Sequence, residues 1–190
     1  MNSIKLNIPQ LDAEGFRQLV KANKNLQLER ASTGEVIIIP LRSPLTGNQN
    51  SAIATQLASW IEKSGLGIGF DSSTGFNLPN GAVYSPDASW VSHEKWNGLT
   101  QQQQEEEFSP LAPDFVVELR SSSDSLERLQ KKMAEYMKNG VRLGCLIDPK
   151  NKIVDIYRQN KEVEVLDFPE TVSGEDVLPG FELNLNQIWE

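Results

Sequence analysis

The stretch Phe115-Val-Val-Glu-Leu119 constrains this chain more than any other. A run that apolar predicts a strand covered on both faces. A carboxylate inside it, Glu118, is costly unless it is paired, hydrogen-bonded or bound to a metal. The flanks, Ser109-Pro-Leu-Ala-Pro-Asp114 before it and Arg120-Ser121 after it, bound the strand with turn-forming residues.

With 190 residues the chain is long enough for one domain with its own core. Neither a domain boundary nor an internal repeat is visible, so residues 1–190 are read as a single domain. Met1 to Gln10 lacks the apolar segment of a signal peptide, and no apolar run nears the roughly 20 residues that cross a bilayer. The expected compartment is the cytoplasm. Cys145, the only cysteine, lies in an apolar context and is read as a buried thiol. The net charge of −8 argues against sequence-blind nucleic-acid binding over the whole surface. The charge is uneven, however: from Arg120 to Lys161, ten Lys or Arg stand against five Asp or Glu. Beside Glu118, such a segment could attract a phosphate backbone locally, or it could be a solvated helix face.

Leu11 to Ala22 reads as a short amphipathic helix with acids near its positive end. Leu26 to Ala31 and Val36 to Pro40 read as a hairpin. Ser43 to Asn50 reads as a turn, after which Asn50 or Ser51 caps a helix to about Lys63. Gly65, Gly67 and Gly69 lack the strand-to-helix context of a phosphate loop and are read as strand and turn glycines. Phe76 to Val83 is a hairpin turning at Asn80-Gly81. A strand follows Pro86, and the polar stretch His93 to Phe108 forms a helical turn or loop with no assigned chemistry. After Glu118, Ser123 or Asp124 opens a helix with Leu126, Leu129 and Met133 inward and Asn139-Gly140 at its end. Val141 to Ile147 is a buried strand. Ile153 to Tyr157 and Val163 to Leu166 form a hairpin, and the tail packs near Trp189.

Geometry singles out a second acid. If the strands carrying Asp87 and Glu118 pair antiparallel around the Trp96–Ser109 excursion, a symmetric register sets the two directly opposite. Facing residues then lie roughly 4.5–5.5 Å apart, close enough to share one divalent cation. Asp114, four residues before Glu118, shares its face but sits about 13 Å away, so it anchors the strand or lies at the rim. Arg120 returns to the same face about 6.6 Å on, and Lys132 reaches in from the following helix. Either cation could steady charge on a phosphate. One histidine, His93, and one cysteine leave little for Ser–His–Asp chemistry or zinc. Acid-and-oxygen ligands suit Mg²⁺ or Mn²⁺.

Leu78-Pro-Asn-Gly-Ala-Val-Tyr-Ser-Pro-Asp-Ala-Ser-Trp-Val91, Pro113-Asp-Phe-Val-Val-Glu-Leu-Arg-Ser121, Lys132-Met-Ala-Glu-Tyr-Met-Lys-Asn-Gly-Val141, Leu146-Ile-Asp-Pro149 and Val177-Leu-Pro-Gly-Phe181 follow one another in this chain. In that order they resemble the Uma-type family of restriction-endonuclease-like proteins, across nearly the whole sequence. The resemblance implies an α/β (α+β) fold with a PD-(D/E)XK core: a mixed central sheet flanked by helices, here with extra N-terminal and C-terminal hairpins. It implies Asp87 and Glu118 as the metal-holding acids, with Asp114 as the family's second Pro-Asp. Arg120 stands in the usual lysine slot, and Lys132 stands where such families carry a displaced lysine. Ser122 replaces a frequent proline, and Asn50 lies about where the first core helix often begins with histidine. The implied activity is Mg²⁺- or Mn²⁺-dependent hydrolysis of DNA, with a homodimer suited to two strands. The alternatives are a non-cutting nuclease-like scaffold that binds nucleic acid or protein and, last, a small-molecule metal phosphatase.

Overall fold

The computed structural model describes residues 4–8, 11–106 and 108–189. Two six-stranded sheets organise it, where the sequence suggested one sheet with appended hairpins. The first sheet comes from the N-terminal half. Its strands are β1 (Ile4–Asn7), β2 (Gln27–Arg30), β3 (Glu35–Ile39), β5 (Gly75–Asn77), β6 (Val83–Tyr84) and β8 (Phe108–Ser109), in the order β1-β3-β2-β6-β5-β8. The expected hairpins β2–β3 and β5–β6 are both present and antiparallel. Each was too short to reveal that the two join side by side, through the Arg30–Val83 pairing. Helix α1 (Ala13–Ala22), capped by Asp12, closes this sheet over Phe16, Leu28, Val36 and Val83.

The second sheet has the order β12-β11-β10-β9-β7-β4, from β4 (Gly67–Asp71), β7 (Ala88–Ser92), β9 (Phe115–Leu119), β10 (Leu143–Asp148), β11 (Ile153–Arg158) and β12 (Glu164–Asp167). Only β9 and β10 pair in parallel here, joined by the crossover helix α5 (Leu126–Lys138) that such a pair requires. All five residues of β9 are buried, because the sheet is covered on both sides. Phe115, Val117 and Leu119 pack on Ile53 and Leu57 of α2 (Pro44–Ser64) and on the C-terminal segment. Val116 faces the other way, into Leu129, Met133 and Tyr136 of α5. Glu118 shares that second face, toward α5.

Helix α2 begins at Pro44 rather than near Asn50. Ser43 is its N-cap, accepting from Thr46 N–H, and Pro44 sits in the first turn, where its missing N–H costs nothing. The Pro-Gly-Asn content that reads as a turn is therefore helical, and Asn50 lies within the helix. Gly65 ends it in the left-handed conformation at φ 63°. Ser125, not Ser123 or Asp124, caps α5; Asp124 instead binds Ser121 and Arg128. The polar excursion holds two short helices, α3 (His93–Asn97) and α4 (Gln101–Glu105), the second closed by a Thr100–Gln103 capping box. The tail adds β13 (Thr171–Ser173), β14 (Glu182–Asn184) and α6 (Asn186–Trp189). No helix among the described residues is long and apolar enough to cross a membrane.

Candidate active site

β7 runs antiparallel to β9 with Ala88 opposite Val117. Asp87 lies just before β7: its N–H donates to Val117 O at 2.9 Å and its carboxylate accepts from Leu119 N–H, the residues on either side of Glu118, so the two acids lie side by side. The β7–β9 ladder has the register expected from the sequence, but its pairing stops at Ala88 and Val117, one residue short of Asp87 and Glu118. Asp87 is 3% exposed. Its Oδ2 accepts from Leu119 N–H at 2.7 Å, and its Oδ1 accepts from the Arg42 guanidinium and, at 3.4 Å, from Asn50 Nδ2.

Helix α5 lays Lys132 across the acids. Its Nζ lies 2.7 Å from Glu118 Oε1 and 2.6 Å from Glu29 Oε1, and it donates to Ser85 O at 3.3 Å. The rings of Tyr84 and Tyr136 lie 5.3 and 5.7 Å away, within cation–π range. Tyr136 O–H donates to Glu118 Oε1 at 3.1 Å. Lys132 sits in the buried stripe of α5 with Leu129 and Met133, since 129, 132, 133 and 136 share one helix face.

Charge crowding shows in the ionisation of these groups. Burial raises the Asp87 pKa, against the opposing pull of Arg42 and the Leu119 N–H. Burial pushes Glu118 up to about 7; Asp87 and Glu29 add to the rise while Lys132 opposes it. Burial works against the charge on Lys132, but Glu118 and Glu29 outweigh it and hold that amine above the ordinary lysine range. Burial, then the Glu118 charge, raises Tyr136. Three carboxylates thus share one low-dielectric volume with Lys132 and Arg42, and Arg128 stands 3.9 Å from Glu29.

A polar cavity of about 100 Å³ opens here, with Glu29, Arg42, Ser85, Glu118, Arg128 and Lys132 in its wall. Asp87 and Glu118 fit a hard divalent cation: both are buried oxygen donors whose charges act on each other, and Asn50 Oδ1 is buried beside Asp87 with no hydrogen-bond partner. Among the described residues no group of three or more His, Cys, Asp or Glu gathers at metal-binding range. Two carboxylates with waters are a magnesium-type set rather than a calcium cage.

Two expected residues lie elsewhere. Asp114 sits at the far end of β9, where Oδ1 pairs with Lys95 at 3.1 Å and Oδ2 accepts from Ser92 N–H. Its backbone carbonyl also takes Arg142 N–H and Leu143 N–H, so it anchors the strand entry. Arg120 pairs with Asp148 at 2.5 Å and donates to Asp124 O. It lines a neighbouring cavity of about 310 Å³ with Asp148 and Lys150 rather than the one at Glu118. Of the two candidate cations, only Lys132 stands at the acids. β9 ends at Leu119, so strand alternation no longer governs residue 120.

Glu29 and Arg42 were not legible. Glu29 belongs to an alternating hairpin strand and reads as its wet face; both Leu28 and Glu29 are in fact buried, because α5 covers the outer side. Arg42 lies in a short linker with no pattern of its own.

A family model described as "Putative restriction endonuclease", Uma2, matches residues 13–186. No curated protein matches the chain. Among solved structures, a "putative nuclease belonging to DUF820" from Anabaena variabilis shares the fold, with a TM-score of 0.79 and 21% identity, over 94% of this chain and 97% of that one. The family match spans most of the 190 residues and includes Asp87, Glu118 and Lys132, and the chain belongs to the Uma2 family.

Proposed function

We propose that this chain is a metal-dependent endonuclease hydrolysing DNA phosphodiester bonds, with Asp87 and Glu118 as the ligands of Mg²⁺ or Mn²⁺. One observation carries the reading: Lys132 Nζ lies 2.7 Å from Glu118, at the wall of a polar cavity, with Asp87 bonded to the residues on either side of Glu118. The ion, when bound, polarises the phosphate and lowers the pKa of bound water. The chain's own residues do the rest. Lys132 stays charged and donates to the negative charge that builds on the phosphate. Tyr136 O–H and Leu119 N–H fix the two carboxylates in place, so no reorganisation is needed when charge develops. Two sites in a homodimer suit cleavage of both strands, and the proposal includes that assembly.

The test is plasmid nicking with added Mn²⁺ or Mg²⁺. Supercoiled DNA is expected to relax only with metal, and Glu118→Ala or Lys132→Ala is expected to lower the rate by about 10²-fold or more. Nicking that survives Glu118→Ala or needs no metal sinks the reading. Light scattering checks the dimer.

A second reading is a nuclease-like scaffold that binds without cutting. It is favoured by the saturation of the site: Lys132 is held by two acids and Asp87 by Arg42. Retarded but uncut DNA in the same assay selects it.

A further inference from the structure

We infer that Arg42 is a resident counter-ion that a divalent cation displaces from Asp87, after which its guanidinium takes a phosphate of the DNA strand. This rests on the metal-dependent nuclease reading. The two cations at the acids are held very differently. Lys132 is 5% exposed, sits in the middle of α5 and is gripped from both sheets. Arg42 comes from the Pro40–Ser43 linker between β3 and α2, next to a wholly exposed Leu41. Its side chain is 25% exposed, against 1% for that of Asp87. Asp87 is fixed independently by Leu119 N–H and Asn50. If the pair opens, Arg42 is the member that moves.

Arg42 already lines the cavity, together with Ser121, Ser122 and Ser123, so it needs no new path to reach a bound strand. A doubly charged ion competes for Asp87 Oδ1 on better electrostatic terms than a guanidinium does. The weakly hydrated guanidinium in turn fits a phosphate through two parallel hydrogen bonds. Metal and DNA would then bind with positive coupling, and the coupling is reciprocal.

The experiment pairs Mn²⁺ calorimetry at pH 8 with anisotropy of a labelled phosphorothioate duplex that resists cleavage. Arg42→Ala is expected to bind Mn²⁺ about tenfold more tightly, the scale of one charge-assisted hydrogen bond no longer broken. Mn²⁺ is expected to strengthen duplex binding by the natural chain. Arg42→Ala is expected to lose that gain and to show a log–log salt slope shallower by about one. Arg42→Lys, which keeps the charge, is expected to hold Mn²⁺ within about twofold of the natural chain. If Arg42→Ala is poorly folded, Arg42→Gln makes the same comparison. Mn²⁺ affinity that is unchanged or weaker without Arg42, while Asp87→Ala abolishes binding, overturns the inference and leaves the nuclease reading standing. Absence of Mn²⁺ binding in every variant overturns both.

Discussion

Glu29 and Glu118 reach Lys132 from different sheets, and neither Lys132 nor its two partners is more than 5% exposed. Removing one carboxylate leaves a buried ammonium half-compensated and orphans Ser85 N–H, which Glu29 accepts at 3.1 Å. Glu29→Ala should therefore cost roughly 3 kcal/mol in urea denaturation. In a Lys132→Met background that cost should shrink by at least about 1 kcal/mol, because the two residues are coupled. Equal costs in both backgrounds would mean that Glu29 merely fills space. Glu118 carries a pH signature as well. Its folded pKa is raised to about 7 from 4.5, so the native state binds more protons than the unfolded chain between those values. Stability of the metal-free protein should then fall as pH rises from about 4.5 to 7, by up to about 3 kcal/mol. Glu118→Gln should flatten that part of the profile in a urea series. Glu118 announced itself in the sequence because an acid within an apolar run needs a partner. Glu29 did not, because an acid in an alternating strand looks solvated until another layer covers it.

At the scale of elements, α2 governs the site through its start. Ser43 caps it with a hydrogen bond from Thr46 N–H at 3.2 Å, and Arg42 is the residue just before that cap. Ser43→Ala should cost about 1 kcal/mol and loosen the linker that carries Arg42. A thermal melt reads the first effect, and the Arg42–Asp87 contact in a crystal reads the second. β4 docks on β7 through Gly67, where a Cβ would lie 2.2 Å from Val91 O and 2.6 Å from Trp90 Nε1. The backbone oxygen cannot yield as a flexible side-chain tip would. Gly67→Ala should destabilise by roughly 3 kcal/mol, at the upper end of overpacking effects; a loss below about 0.5 kcal/mol would show that the edge strand shifts freely. β9, α5 and the β11–β12 hairpin were readable as elements because each has a clean period. The start of α2 was not: Pro44, Gly47 and Asn48 have turn propensities that packing of Ile53 and Leu57 overrides.

Across the whole molecule, the site lies where the two sheets meet, with Glu29 from one and Asp87 and Glu118 from the other. The N-terminal edge is dispensable by the same geometry. Every residue of β1 is exposed, and among the described residues β1 pairs only with β3. Deleting residues 1–7 should cost under about 1.5 kcal/mol and leave Mn²⁺ affinity unchanged. Deleting residues 1–31, which removes Glu29 and uncovers the outer side of α5, should abolish cooperative unfolding. Folding of the shorter piece with an intact melt would show that the first, N-terminal sheet is only an appendage.

The sequence by itself determined the strand around Glu118, the helix that crosses over it and the β7–β9 register that brings Asp87 beside Glu118. Those follow from local periodicity and from one loop length, which a linear chain displays directly. Only the tertiary structure decided that two distant hairpins join into the N-terminal sheet, that Glu29 is inside rather than outside, and that Arg120 and Asp114 turn to Asp148 and Lys95. A side chain's partner depends on which layers stack against its own, and stacking is settled by the burial of all faces together.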